Sequence, residues 1–111
     1  MTYSDNVIEI SGVRSARIIL PCFSGNDDFA ACSRMNSFYS SAAGDLYAYA
    51  ESLFESAARR ARYSCVYTVV PEDEQISVVL HLSYSTSDER SRRRTVTHVW
   101  KNGNIIRRSV E

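Results

Sequence analysis

The sequence has little of several features that mark well-known classes of protein. Its formal net charge is zero, with 13 basic and 13 acidic residues among 111, whereas a dedicated nucleic-acid binder usually carries a clear basic excess. It has only four glycines, and it contains neither a glycine-rich phosphate loop nor a Gly-x-Ser-x-Gly nucleophile motif. No apolar stretch approaches the roughly 20 residues that span a bilayer. We therefore expect no nucleic-acid partner and no membrane partner.

Cysteine is also scarce. Cys22, Cys32 and Cys65 make an odd count, and their spacings fit no zinc site. All three fall on strand or helix positions of core character, where a buried thiol usually packs as a small hydrophobe. We expect no metal and no cofactor. The absence of a basic start followed by an apolar run predicts a cytoplasmic protein for the sequence as written, and an extracellular one if it is a piece of a longer exported protein.

What the sequence does contain is the composition of an ordinary globular domain. Hydrophobic residues make up 44% of the chain and aromatic residues 11%, which argues against disorder. A length of 111 residues is close to the commonest domain size. We therefore expect a single α+β domain over residues 1–111.

The first half of the chain carries a helical pattern. Apolar residues recur at steps of three or four from Phe29 to Ala57, which predicts one long amphipathic helix, or two collinear ones, over about residues 28–61. Glycine weakens a helix interior, so a kink is expected near Gly44. Before the helix, residues 16–23 have the composition of a strand, and residues 7–10 could form a second, shorter strand.

After Arg62 the apolar period changes to two. This alternation predicts strands joined by hairpins, over residues 63–70, 76–84, 95–101 and 104–110. Asn102-Gly103 is the favoured dipeptide of a type I′ hairpin turn. The predicted fold is α+β, with one long N-terminal helix packed on a 4–5 stranded antiparallel meander sheet, a cystatin-like roll in the order β-α-β-β-β-β.

The two histidines, His81 and His98, fall on neighbouring strands of one predicted hairpin. A loop that is symmetric about Glu89 and Arg90 would place them opposite each other, as a pH-sensitive or weak metal-binding pair. A shift of one residue would put them on opposite faces of the sheet. The apolar pattern favours the shifted register, in which His98 shares a face with Leu80, so we interpret the histidines as unrelated.

Aromatic residues suggest where a ligand could bind. We expect a pocket between helix and sheet, as rolls of this kind often have, lined by Tyr39, Tyr49, Tyr67 and Trp100. Ordinary core packing accounts for the same pattern. No nucleophile lies beside a base and a third orienting group, so we predict no catalytic residues, and an enzyme is not favoured.

Arginine is concentrated near the C-terminus. The candidate interaction patch consists of Arg90, Arg92, Arg93, Arg94, Arg107 and Arg108. Such a run could bind phosphates or an acidic protein, although arginines on a hairpin also deter unwanted edge pairing. We expect a protein partner at this patch and the exposed sheet face. A homodimer through an edge strand is a further hypothesis, because residues 16–23 are apolar enough to pair.

A series of short motifs runs through residues 15–106. They are Leu20-Pro21 at the end of a strand, Asn36 early in the helix, Tyr63-x-Cys65-x-Tyr67, Ile76-Ser77-Val78, and His98-x-Trp100 before Gly103. In type and order they resemble the domain of unknown function in the extracellular part of lysozyme-sensing bacterial anti-sigma factors and in related peptidoglycan deacetylases. The resemblance implies ligand or protein binding outside the cell, without catalysis by the domain. Residues 87–90 stand where family members have a glycine-rich stretch, so a family binding loop is not carried over to them.

Two functional hypotheses remain open from the sequence. The first is a non-catalytic binding or sensor module whose partner is unknown. The alternative is a small-ligand-binding or enzymatic α+β roll with a pocket between helix and sheet.

Overall fold

The computed structural model describes residues 1–57, 59–87 and 91–111. In chain order the elements are β1 (Thr2–Ile10), β2 (Arg14–Ser24), α1 (Phe29–Glu55), β3 (Ala61–Glu72), β4 (Gln75–Thr86), β5 (Ser91–Lys101) and β6 (Asn104–Val110). The strands form one six-stranded sheet in the order β1-β2-β3-β4-β5-β6. The helix packs on one face of this sheet, so the α+β class predicted from the sequence is confirmed.

The sheet is mixed, because one of its strand pairs is parallel. The chain leaves β2 through α1 and returns as β3, and a crossover of this kind joins parallel neighbours. Arg14–Ile18 of β2 accordingly pairs in parallel with Ala61–Cys65 of β3. The other four pairs are antiparallel. The predicted meander after the helix is confirmed, but the prediction of a wholly antiparallel sheet is wrong.

Two strands precede the helix, where the predicted order had one. β1 runs from Thr2 to Ile10 and pairs along its whole length with β2. Residues 2–6 are polar apart from Tyr3 and all of them are exposed, so they carry no apolar alternation. The strand count is therefore six rather than 4–5, and the order is β-β-α-β-β-β-β.

The helix is shorter at its C-terminal end than the sequence predicts. It continues through Gly44 as one element and ends at Glu55, rather than near residue 61. Ala61 already belongs to β3 and is buried in its parallel pair with β2. The intervening residues are needed to turn the chain from helix to strand, so the basic residues after residue 58 lie outside the last helical turn.

The core lies between α1 and the sheet face beneath it. Its most buried large side chains are Ile18, Leu20, Met35, Tyr39, Cys65, Val78 and His98. The helix packs most closely on β2. As a result, β4, β5 and β6 are covered by the flank of the helix rather than by its centre.

The register of the β4–β5 hairpin separates the two histidines. Leu80 pairs with Val96, and Val78 pairs with His98. His98 therefore lies on the helix side and is 2% exposed, whereas His81 pairs with Thr95 and is exposed on the other face. The interpretation of the histidines as unrelated is confirmed.

The free edges of the sheet are β1 and β6. The strand that the sequence suggested as an edge for self-association, residues 16–23, belongs to β2 and lies between β1 and β3. Its apolar character reflects burial under α1, not an open edge. Within the described parts of the chain, α1 is not long and apolar enough to cross a membrane.

Candidate functional site

A buried hydrogen-bonded cluster joins α1 to β5. Trp100 Nε1 donates to Tyr39 Oη at 2.9 Å, and Tyr39 Oη lies 3.1 Å from His98 Nδ1. The exposed fractions of Tyr39, His98 and Trp100 are 1, 2 and 4%. An indole nitrogen can only donate, so Tyr39 Oη accepts from Trp100 and its own proton is available to His98.

We infer the tautomer of His98 from this chain of donors. If Nδ1 accepts the tyrosine proton, a neutral imidazole carries its own proton on Nε2. Nε2 is buried and has no hydrogen-bond partner among the described residues. A buried donor left without an acceptor costs about 1–3 kcal/mol. A hydrogen-bond acceptor from outside the chain that reached His98 Nε2 would remove this cost.

The cluster is polar but uncharged. Burial lowers the pKa of His98, and the nearby Arg108 guanidinium lowers it further. Burial also raises the pKa of Tyr39 well above its ordinary value, against the opposing effect of the Trp100 hydrogen bond. Near neutral pH the imidazole is thus neutral and the phenol keeps its proton.

A cavity of about 360 Å³ lies beside this cluster, between α1 and strands β4 to β6; it is called the His98 pocket below. Its apolar walls are Phe38, Ala42 and Leu46 from the helix and Leu80, Leu82 and Val96 from the sheet. His98 lines the pocket, whereas Tyr39 does not. The His98 ring thus forms part of the pocket wall, while its Nε2 atom is shielded from solvent behind that wall.

Three charged side chains line the same pocket. Arg94 pairs across the strands with Leu82, and Arg108 pairs with His98. Asp45 approaches from the helix. Two cations and one anion leave the lining with an excess of positive charge, since His98 contributes none.

A second cleft of about 390 Å³ continues along the flank of the helix; it is called the tyrosine cleft below. It is lined by Tyr49, Leu53, Tyr63, Leu82, Ser83, Tyr84, Arg92, Arg93 and Arg94. The Tyr49 and Tyr63 rings pack edge to face, with their centroids 5.9 Å apart. Burial raises the pKa of Tyr63 to about 12. Leu82 and Arg94 line both cavities, so the two cavities adjoin, and together they are called the groove below.

The four aromatic residues predicted to share a pocket lie in three places. Tyr39 and Trp100 meet in the cluster beside the His98 pocket. Tyr49 lies in the tyrosine cleft and is 55% exposed. Tyr67 lies where β2 and β3 separate, and its hydroxyl donates to Asp5 Oδ1 at 2.6 Å.

The residue that sequence reasoning did not place in the pocket is His98. The signal was present in the favoured register, which set His98 on the same face as Leu80 and Trp100. Phe38 also belongs to this site, because its ring packs edge to face on the rings of His98 and Trp100, with centroid separations of 5.0 and 5.2 Å.

The predicted arginine patch is divided between the two faces of the sheet. Strand alternation and register place three members on the helix side: Arg92, Arg94 and Arg108. Arg93 and Arg107 lie on the opposite side, and Arg90 lies outside the described residues. The three helix-side arginines can therefore act together on a ligand in the groove, and Arg93 also lines the tyrosine cleft although strand alternation places its side chain on the opposite face.

The cysteines do not form a catalytic pair with either histidine. The histidine side chains hydrogen-bond to Tyr39 and Thr68. Cys22 is exposed, whereas Cys32 and Cys65 are buried. Burial raises the pKa of Cys65 to about 12, so that thiol keeps its proton and packs as an apolar side chain.

Comparison with protein-family models finds no match for this sequence, and a search of curated proteins finds none either. Function is therefore inferred from the fold and from the groove between α1 and β4–β6.

Proposed function

We propose that the protein is a non-catalytic binding module whose ligand is a small molecule with an apolar body and a hydrogen-bond acceptor, held in the His98 pocket. The observation that carries this proposal is Nε2 of His98, which is buried, has no hydrogen-bond partner within the described residues and belongs to a residue that lines a largely apolar cavity. A ligand acceptor at this position would remove the cost of the unsatisfied donor.

The size and walls of the pocket support an apolar ligand body. Ligand sites are usually concave, mostly apolar and about 300–1,000 Å³ in volume, and the His98 pocket is about 360 Å³. Apolar surface removed from water contributes about 25 cal/mol per Å². On the sheet side, Leu82 is partly exposed in the pocket, whereas Leu80 and Val96 are 4 and 8% exposed and form its floor.

The chemistry of the cluster favours binding over catalysis. A general base needs a free nitrogen within reach of a nucleophile, and His98 Nδ1 is occupied by Tyr39. Burial raises the pKa of the Tyr39 hydroxyl, so this group is a poor base or nucleophile at neutral pH. The resemblance to the extracellular anti-sigma-factor domain likewise implies binding without catalysis.

A matched pair of helix variants tests the pocket. Ala42→Phe places a ring in the cavity, and Ala48→Phe makes the same change at an exposed position of the same helix. The probe is anilinonaphthalene sulfonate, followed by its own fluorescence and by that of Trp100, the single tryptophan. We expect Ala42→Phe to weaken binding at least about tenfold, or about 1.4 kcal/mol, and Ala48→Phe to leave it unchanged. Equal binding by two folded variants would contradict the proposal.

The open face of the sheet supports a second proposal, that a protein partner packs there. Val66 and Val70 of β3 are 42 and 39% exposed, and exposed apolar side chains on one face often mark an interaction site. A second copy of the chain is the partner that is simplest to test. Sedimentation at two concentrations should show self-association that Val70→Glu removes, and a monomer throughout would eliminate this form of the proposal.

A further inference from the structure

We propose that the ligand of the His98 pocket is an organic carboxylate with an apolar body, and that Arg108 selects its negative charge. This inference rests on the proposed function and specifies the chemical class of the ligand. Two observations support it: His98 pairs with Arg108 across β5 and β6, and the charged side chains that line the pocket carry a net positive charge.

Two kinds of donor converge on one wall of the pocket. His98 offers a single N–H from Nε2, and Arg108 is its cross-strand partner on the edge strand β6. A guanidinium presents several N–H groups in a planar fork that matches a carboxylate. The two oxygens of a carboxylate can therefore accept from the imidazole and the guanidinium together.

The pocket lining discriminates among ligand charges. A cationic head group cannot accept a hydrogen bond from Nε2–H, and it would lie near Arg94 and Arg108. A neutral acceptor would satisfy Nε2–H but would leave the guanidinium groups without a charged partner. Asp45 opposes an anion from the helix side, but the two arginines outnumber it.

Access to Nε2 requires one lining side chain to move. The Nε2 atom is itself shielded from solvent, so a carboxylate reaches it only when a neighbour turns aside. Arg108 is long and exposed, and it lies on an edge strand opposite His98. We take Arg108 as the side chain that turns, because its guanidinium can then stay close to the incoming carboxylate.

The groove also sets the shape of the apolar body. From His98, the apolar floor passes Val96 and reaches Leu82, which pairs with Arg94. His98 and Arg94 are four positions apart on β5, which corresponds to roughly 13 Å of strand. An extended hydrocarbon chain of medium length suits this floor, and the tyrosine cleft continues it.

Four ligands with one hydrocarbon chain and different head groups test the inference. Decanoic acid, decanol, decanamide and decylamine are titrated by calorimetry into the full chain, below their aggregation concentrations. We expect decanoate to bind most tightly and decylamine most weakly. Arg108→Gln should weaken decanoate binding about tenfold, as expected for loss of a charge-assisted hydrogen bond, and should change decanol binding little.

Arg107→Gln is the matched control, since Arg107 is the neighbouring arginine on the same exposed strand but pairs with Val99 on the opposite face. We expect it to bind all four ligands like the wild type. Equal affinities for decanoate and decanol, with no effect of Arg108→Gln, would overturn the carboxylate inference and leave the proposed function standing. Binding of none of the four would also overturn it, and failure of anilinonaphthalene sulfonate to bind as well would overturn the proposed function.

Discussion

Removal of one hydroxyl group, by Tyr39→Phe, should destabilise the fold through the buried cluster. Tyr39 Oη is the acceptor for Trp100 Nε1 and the partner of His98 Nδ1. Phenylalanine has nearly the same shape, so the change deletes both hydrogen bonds without leaving a large cavity. It leaves a buried indole N–H and a buried imidazole nitrogen without partners.

The size of the effect follows from these two losses. A typical hydrogen bond contributes about 0.5–1.5 kcal/mol net, and each buried group left unsatisfied costs about 1–3 kcal/mol. We therefore expect Tyr39→Phe to lower the free energy of unfolding by about 2–4 kcal/mol. Urea titration followed by Trp100 fluorescence measures this difference, because Trp100 lies in the cluster.

Tyr67→Phe is the matched control for the same chemical change. The Tyr67 hydroxyl donates to Asp5 in a solvent-exposed hydrogen bond, where water can replace the lost partner, so we expect a cost of about 1 kcal/mol or less. A second readout is the tautomer of His98: nitrogen NMR should show the proton on Nε2 in the wild type. Equal costs for the two variants, or a proton on Nδ1, would refute the assigned network.

Three further predictions concern the core, the helix–sheet contact and the response to pH. Leu80→Ala, at a position 4% exposed, should cost about 2–5 kcal/mol in urea unfolding, and wild-type stability would contradict its placement in the core. Asn36→Ala removes hydrogen bonds of 2.7 and 2.9 Å to the backbone of Phe23 and should cost about 1–3 kcal/mol, checked by thermal unfolding beside the exposed control Ser37→Ala. Because the pKa of His98 is lowered on folding, its contribution to stability is fully present above the unfolded value of about 6.5 and falls as the pH drops below it. Urea titrations across that range should show a shallower pH dependence for His98→Gln, and identical slopes would contradict the burial of a neutral imidazole.

The parts of the fold that were predictable from sequence are those in which apolar residues recur at a regular local spacing. The helix and the four strands after it follow from apolar spacing, and the same spacing aligned Leu80 with Val96 and so placed His98 on the helix side. The sequence predicted only the second half of β1, because the first residues of this strand are polar on both faces. The parallel pairing of β2 with β3 depends on the path of α1 across the sheet, which no local pattern encodes.

The candidate site was predictable only in part for a similar reason. Spacing in the helix identifies residues that face the sheet, but it does not show which strands they meet. Tyr39 and Tyr49 both follow the apolar stripe, yet Tyr39 reaches β5 and Tyr49 lies in the open tyrosine cleft. The arginines show the same limit, since Arg107 and Arg108 are neighbours in sequence and are sent to opposite faces by strand alternation.

The position of the pocket follows from how α1 is attached to the sheet. The parallel pairing of β2 with β3 stops at Ile18, and further along β2 the side-chain amide of Asn36 bonds both the N–H and the C=O of Phe23. The helix thus occupies hydrogen-bonding groups that a neighbouring strand would otherwise use, and this holds it over β2. A helix held there covers β4 to β6 with its flank rather than with its centre. The His98 pocket lies between this flank and the sheet, and we infer that the contact of Asn36 with β2 is a condition for the groove along the side of the helix that faces β4 to β6.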